Sequence, residues 1–161
     1  MTNTEYPACI QELYQSEVLG EAAFLALHAV ARNDLDRYYF GTVLQLETET
    51  KARLRPFLLK HGLALEEQTD PAMLEGFVTA YQEHPWHEFL AGLQPMVDNF
   101  LARFKEIAGA GPAEDQEVLQ SMVIHEQAYV TWIQRELAGE ANPLEAVISQ
   151  LQYPLPEPEM P

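Results

Sequence analysis

Cysteine is almost missing from this chain. Cys9 is the only one in 161 residues, so no disulfide can close within it. That composition fits a reducing compartment. Long apolar runs are missing too. None approaches the roughly 18 residues needed to cross a bilayer. Residues 1–7 hold no basic stretch followed by an apolar one, so no signal peptide is expected and the expected location is cytoplasmic. Positive charge is scarce: 9 Lys and Arg stand against 25 Asp and Glu, for a formal net charge of −16. Such a chain repels nucleic acid and anionic membrane surfaces, and neither is expected as a partner. Also absent are a glycine-rich phosphate loop, a Gly-x-Ser-x-Gly elbow and a Cys-x-x-Cys pair. Cys9 has no basic neighbour in the sequence to lower its pKa, which argues against a nucleophile.

What remains is an ordinary globular balance, 47% hydrophobic and 21% charged. A chain of this length buries roughly two-thirds of its unfolded surface without staples. Glycine and proline punctuate it. Long helices are expected over residues 6–32, 34–61, 85–108 and 114–137, with short ones over 71–82 and from 144 to 151. Asp34 is expected to cap the second helix and Gly62 to close it. Pro56 and Pro95 are expected to kink or shorten their helices. No segment alternates with period two, so the expected class is all-α: one domain over residues 1–152 and an extended or disordered tail over 153–161 with four prolines. Six of the nine basic residues are Arg32, Arg37, Lys51, Arg53, Arg55 and Lys60. They read as a solvated face with local pairs, Glu47 or Glu49 with Lys51 and Arg53; a docking patch for an acidic partner is the alternative.

Two glutamates stand where their helices should be apolar. Glu47 shares a stripe with Tyr39, Val43, Leu54 and Leu58, and Glu126 one with Leu119, Met122, Val130 and Ile133. A buried carboxylate needs a proton, a cation, a hydrogen-bond network or a metal. On the first helix, Glu17 and Glu21 lie one turn apart, and Gly20 between them lets another helix come close. On the last long helix, His125 precedes Glu126. The plainer readings are that Glu47 pairs with Lys51, that Glu126 hydrogen-bonds a tyrosine or His28, that His125 is a structural donor, and that His28 caps a helix dipole. Residues 83–88 (Glu-His-Pro-Trp-His-Glu) read as a helix start rather than a surface metal site, with Trp86 over the bundle end.

The segments Ser16-Glu-Val-Leu-Gly-Glu21, Leu46-Glu-Thr-Glu-Thr-Lys51 and His125-Glu-Gln-Ala128 resemble the site-bearing segments of the ferritin-like diiron-carboxylate superfamily. The resemblance covers roughly residues 6–138 and implies a four-helix bundle with an extra helix in the central crossover. In such bundles a Glu-x-x-His motif sits on each of two helices and a lone Glu on each of the other two. The chain departs from that pattern. Thr50 and Tyr129 stand where the histidines belong, and superposing Glu47 on Glu126 maps Glu17 and Glu21 onto Met96 and Phe100, so the third long helix lacks its acid. The ligand set implied by the resemblance is Glu17, Glu21, Glu47, Glu126 and His125, holding iron or manganese in a mono- or dinuclear site. The function implied is a metal-dependent oxidoreductase acting on a small molecule. The alternative is a metal-free ferritin-like binding or interaction module with a buried polar network. A haem oxygenase-like bundle with His28 as axial ligand is a third reading. The apolar helix faces suffice for a homodimer, though nothing specifies one.

Overall fold

The computed structural model describes residues 5–158; Met1–Thr4, and Glu159, Met160 and Pro161 of the predicted tail, lie outside the described residues. Six α-helices form among the described residues: α1 (Tyr6–Ala29), α2 (Asp34–Lys60), α3 (Pro71–Glu83), α4 (Trp86–Ala110), α5 (Gln116–Leu137) and α6 (Glu145–Ile148), with a 3₁₀ turn at Ala113–Asp115. There is no strand among the described residues, and none of their helices is long and apolar enough to cross a membrane.

Most joints follow their local chemistry. Asp70 caps α3 and accepts from Ala72 N, with Pro71 in the first turn. Gly62 and Gly139 both take φ of +68° just beyond helix ends, where a side chain would be strained. Some expectations fail. The cap of α2 is Asn33, which accepts from Asp36 N at 2.8 Å, not Asp34. Helix α1 stops at Ala29, short of Arg32, because the Arg32 backbone N–H donates to the Tyr81 hydroxyl and its guanidinium lies 4.0 Å from that ring. Pro56 does not shorten α2 and Pro95 does not interrupt α4, since both lie inside their helices. The carbonyls they orphan belong to Ala52 and Ala91, both exposed residues, which leaves these groups open to solvent. The last helix is only four residues long.

Two antiparallel hairpins build the body: α1 packs along α2, and α4 along α5. The chain crosses the length of the bundle between them, with α3 against α1. Helices α2 and α4 therefore begin at the same end, where Tyr39 meets Trp86 and Phe40 meets Phe89, ring centroids 5.7 and 6.1 Å apart. The tail is extended, and it is pinned: Gln152 N and Tyr153 N donate to the Glu49 carboxylate at 2.7 and 3.0 Å. Leu155 reaches Gly41, close to His28.

The core is in two parts. One apolar cluster gathers Leu27, Phe40, Val43, Leu90, Tyr129 and Trp132 toward the end where α4 begins. The other gathers Ile10, Leu13, Leu54, Leu58, Phe104 and Met122 toward the opposite end. Along α2 and α5, the residues between the two clusters include Glu47, Thr50, His125 and Glu126, and Glu17 of α1 joins them, all buried. The bundle thus carries a transverse polar layer at its middle.

The basic residues predicted to pair locally do so only in part: Arg37 pairs with Asp34 at 2.8 Å and Arg32 with Asp36 at 3.3 Å, but the lysines reach across the fold. Lys51 is buried and bridges Glu21 of α1 and Glu67 of the crossover, while Lys60 reaches Asp115. Glu49 accepts from Gln45 and the tail instead. Cys9 does have a basic neighbour, since Arg103 Nη2 sits 3.6 Å from its sulfur, 94 residues away in sequence.

Candidate metal centre

Each residue of the polar layer is placed by a helix. Glu17 comes from α1, Glu47 and Thr50 from α2, and His125, Glu126 and Tyr129 from α5. Glu17 is 1% exposed, Glu47 4%, His125 0% and Glu126 5%, so bulk water does not reach them. His125 Nε2 lies 3.2 Å from Glu17 Oε2 and 3.7 Å from Glu47 Oε2. The nearer approach is short but too misaligned for a hydrogen bond. All three atoms are left without a hydrogen-bond partner among the described residues. Buried polar atoms are nearly always partnered, and each orphan costs roughly 1–3 kcal/mol. Here three orphans converge: one ligand atom from each of Glu17, Glu47 and His125 lies within 4.8 Å of the others. A divalent cation among them would satisfy all three at once. The residues therefore fit a metal on their own geometry.

Neighbours prepare that arrangement. The Thr50 hydroxyl lies 3.2 Å from His125 Nδ1. With Nδ1 carrying the proton and donating to Thr50, Nε2 presents its lone pair to the two carboxylates. Tyr129 packs edge-on against the imidazole, ring centroids 4.7 Å apart. Gly20 is required by close approach: a Cβ there would overlap the Glu47 carboxylate.

Electrostatics follow from burial. Desolvation, then the nearby Glu47 charge, raises the Glu17 pKa well above the ordinary range. Desolvation pushes Glu47 up to about 8, against the stabilising hydrogen bonds of Glu17 and Tyr129. Glu126 is raised by desolvation and by Glu47. His125 is lowered to about 3 by desolvation and by the Arg53 charge. Near neutral pH and without a cation, the layer is held together by protons on its carboxyls and by a neutral imidazole.

Of the residues the sequence nominated, Glu17, Glu47, His125 and Glu126 share this layer. Glu21 does not: its carboxylate accepts from Thr48 Oγ1 at 2.8 Å and pairs with Lys51. That contact also removes Lys51 as the partner of Glu47. His28 lies further along α1 beside Gly41. No hydrogen bond joins Glu126 to His28 or a tyrosine among the described residues. His125 and Glu126 are adjacent on α5 and both are buried, because α5 is covered by α4 on one side and α2 on the other. The fourth wall is apolar. Met96 and Phe100 of α4 are half-buried and line a cavity of about 60 Å³ together with Glu17, Glu47, Glu126 and Tyr129. Asp98 is exposed. In residues 83–88, His84 and Glu88 form only an exposed 3.6 Å pair, and Trp86 Nε1 donates to Glu136 at the bundle end.

Family models, curated proteins and solved structures were compared with this chain, and none matches.

Proposed function

We propose that this chain is a ferritin-like metalloprotein that holds a single divalent transition-metal ion, iron or manganese, between Glu17, Glu47 and His125, and that it acts as an oxidoreductase. The observation that carries the reading is the convergence of three buried, unpartnered ligand atoms. Two helical hairpins joined by a long crossover, with acids mid-bundle, support the ferritin-like part. Carboxylate oxygens with one imidazole suit iron(II) and manganese(II) better than soft-ligand metals. Such an ion, when bound, supplies Lewis acidity and, for iron or manganese, one-electron chemistry with a small oxidant.

The remaining roles belong to the chain. Thr50 holds the imidazole in the tautomer that ligation needs. Glu126 and Tyr129, both buried beside Glu47, can hold or release a proton next to the centre. The apolar wall of Met96 and Phe100 keeps bulk water out. Elemental analysis after loading with iron, manganese or zinc tests the proposal. Wild type should retain about one ion per chain, with a strong loss in His125→Ala and Glu17→Gln. Retention well below one ion for all three metals defeats it.

The second reading, a metal-free binding module, is favoured by the apolar α4 wall, which offers no oxygen donor. On that reading Glu47→Gln and Glu126→Gln keep or raise thermal stability and metal makes no difference to either protein.

A further inference from the structure

The cavity beside the polar layer has a second end. At its inner end stand Glu17, Glu126 and Tyr129. Three of its apolar lining residues, Phe77, Leu93 and Met96, also line a surface groove of about 630 Å³ between α3 and α4. Side chains common to an inner cavity and an outer groove are the partition between them. The groove is open there because a Cβ added at Gly76 or Gly92 would meet nothing within 4 Å. The partition is lightly held on one side. Helix α3 buries only Tyr81, and both Phe77 and Met96 are half-buried. An element with so few buried contacts opens at low free-energy cost.

Shape and charge narrow the guest. The α4 residues lining the cavity run from Leu93 to Phe100, about 10 Å at 1.5 Å per residue. About 60 Å³ spread over that length is a slot. At about 60 Å³ the cavity is well under the roughly 150 Å³ of one that holds a benzene ring, so a ring does not fit within it. An anionic head is also wrong, since no basic side chain lines the cavity to pair a buried anion, and the chain as a whole carries a net charge of −16. A hydroxyl can instead exchange hydrogen bonds with Glu126 and donate to the Tyr129 hydroxyl oxygen, whose own proton faces the Val43 carbonyl at 3.5 Å.

We infer that slot and groove together bind one unbranched aliphatic chain with an uncharged polar head, its head at Glu126 and Tyr129 and its tail passing Phe77, Leu93 and Met96 into the α3–α4 groove. The binding itself does not need a metal. That the chain is the substrate of the centre rests on the oxidoreductase reading above.

The test is calorimetric titration of metal-free and manganese-loaded protein with 1-octanol, cyclohexanol and octanoate. Octanol should bind saturably, with cyclohexanol and octanoate at least about ten-fold weaker. Met96→Trp, which fills the partition, should weaken octanol by at least about ten-fold while manganese content stays at the wild-type level. Phe77→Ala, which removes a half-buried ring, should bring cyclohexanol to within a few-fold of octanol. Absence of saturable octanol binding, equal binding of octanoate, or indifference of both variants overturns the inference. Saturable octanol binding in a protein that retains none of iron, manganese and zinc supports the channel and refutes the metal reading alone.

Discussion

Replacing Glu47 by glutamine in metal-free protein should stabilise it, and the gain should grow with pH. The carboxyl of Glu47 rises from 4.5 to about 8 on folding. Between those values the native state holds a proton that the unfolded chain has released. Stability therefore falls as pH rises through that window and levels off above it. Each pH unit is worth about 1.4 kcal/mol. At pH 7 the window has been entered by 2.5 units, so keeping Glu47 protonated costs roughly 3–4 kcal/mol relative to pH 4.5. Glutamine has the shape of the protonated acid and no such cost. Glu47→Gln should gain most of that amount at pH 7, or on the order of 10 °C in melting temperature for a chain of this size. Near pH 4.5 the two proteins should melt alike. His125, lowered to about 3, acts in the opposite sense: its contribution is lost as pH falls from 6.5 toward 3, and it cancels to first order between the two proteins. Melts in chelator at pH 5, 6.5 and 8 measure the effect. A difference that does not change with pH, or a variant less stable than wild type at pH 8, would refute the electrostatic account. With excess manganese the sign should invert, because wild type gains binding free energy that the variant has lost.

Three further outcomes follow from the same geometry. Gly20→Ala should destabilise by about 1–3 kcal/mol despite the helix preference of alanine, since its Cβ displaces the Glu47 carboxylate; urea unfolding reads this, and a stabilised variant would contradict it. Thr50→Val should leave the melting temperature within a few degrees in chelator yet weaken metal affinity by about 10–100-fold, because only the orientation of His125 is lost; equal affinity by competition titration would remove Thr50 from the centre. Glu21→Gln should keep full metal content while Glu17→Gln loses it, because Glu21 is committed to Thr48 and Lys51; equal losses in both would mean the layer is drawn wrongly.

The helical stripes were legible because burial imposes a period that composition cannot hide. Tyr39, Val43, Leu54 and Leu58 of α2 are all buried as that period requires, and Glu47 among them was conspicuous for the same reason. The choice between Glu17 and Glu21 was not legible. One helical turn separates them, and the decision is made by Lys51 with Glu67, a residue of the crossover that no local pattern connects to α1. Thr50 read as a lost ligand, whereas at 3.2 Å from His125 Nδ1 it is a partner for a candidate one. A residue-by-residue pattern asks only whether the expected ligand is present, so a hydroxyl serving the neighbouring helix goes unnoticed. The contact of Arg103 with Cys9 spans 94 residues and leaves no local trace.

Charge accounting ties the two functional readings to one variable. Fully ionised, Glu17, Glu47 and Glu126 would place three negative charges in a layer that buries all of them. Protons can neutralise that layer, and so can a cation, and both would occupy the same oxygens. The raised carboxyl pKa values measure how strongly the layer demands positive charge, and they bear on metal binding because ligation must displace those protons. Metal affinity should therefore climb steeply toward pH 8. One divalent ion would leave a single negative charge unbalanced, with Glu126 able to keep one proton. A second ion would need oxygen donors from α4, where Met96 and Phe100 stand instead. The charge and the apolar wall together favour one ion over two.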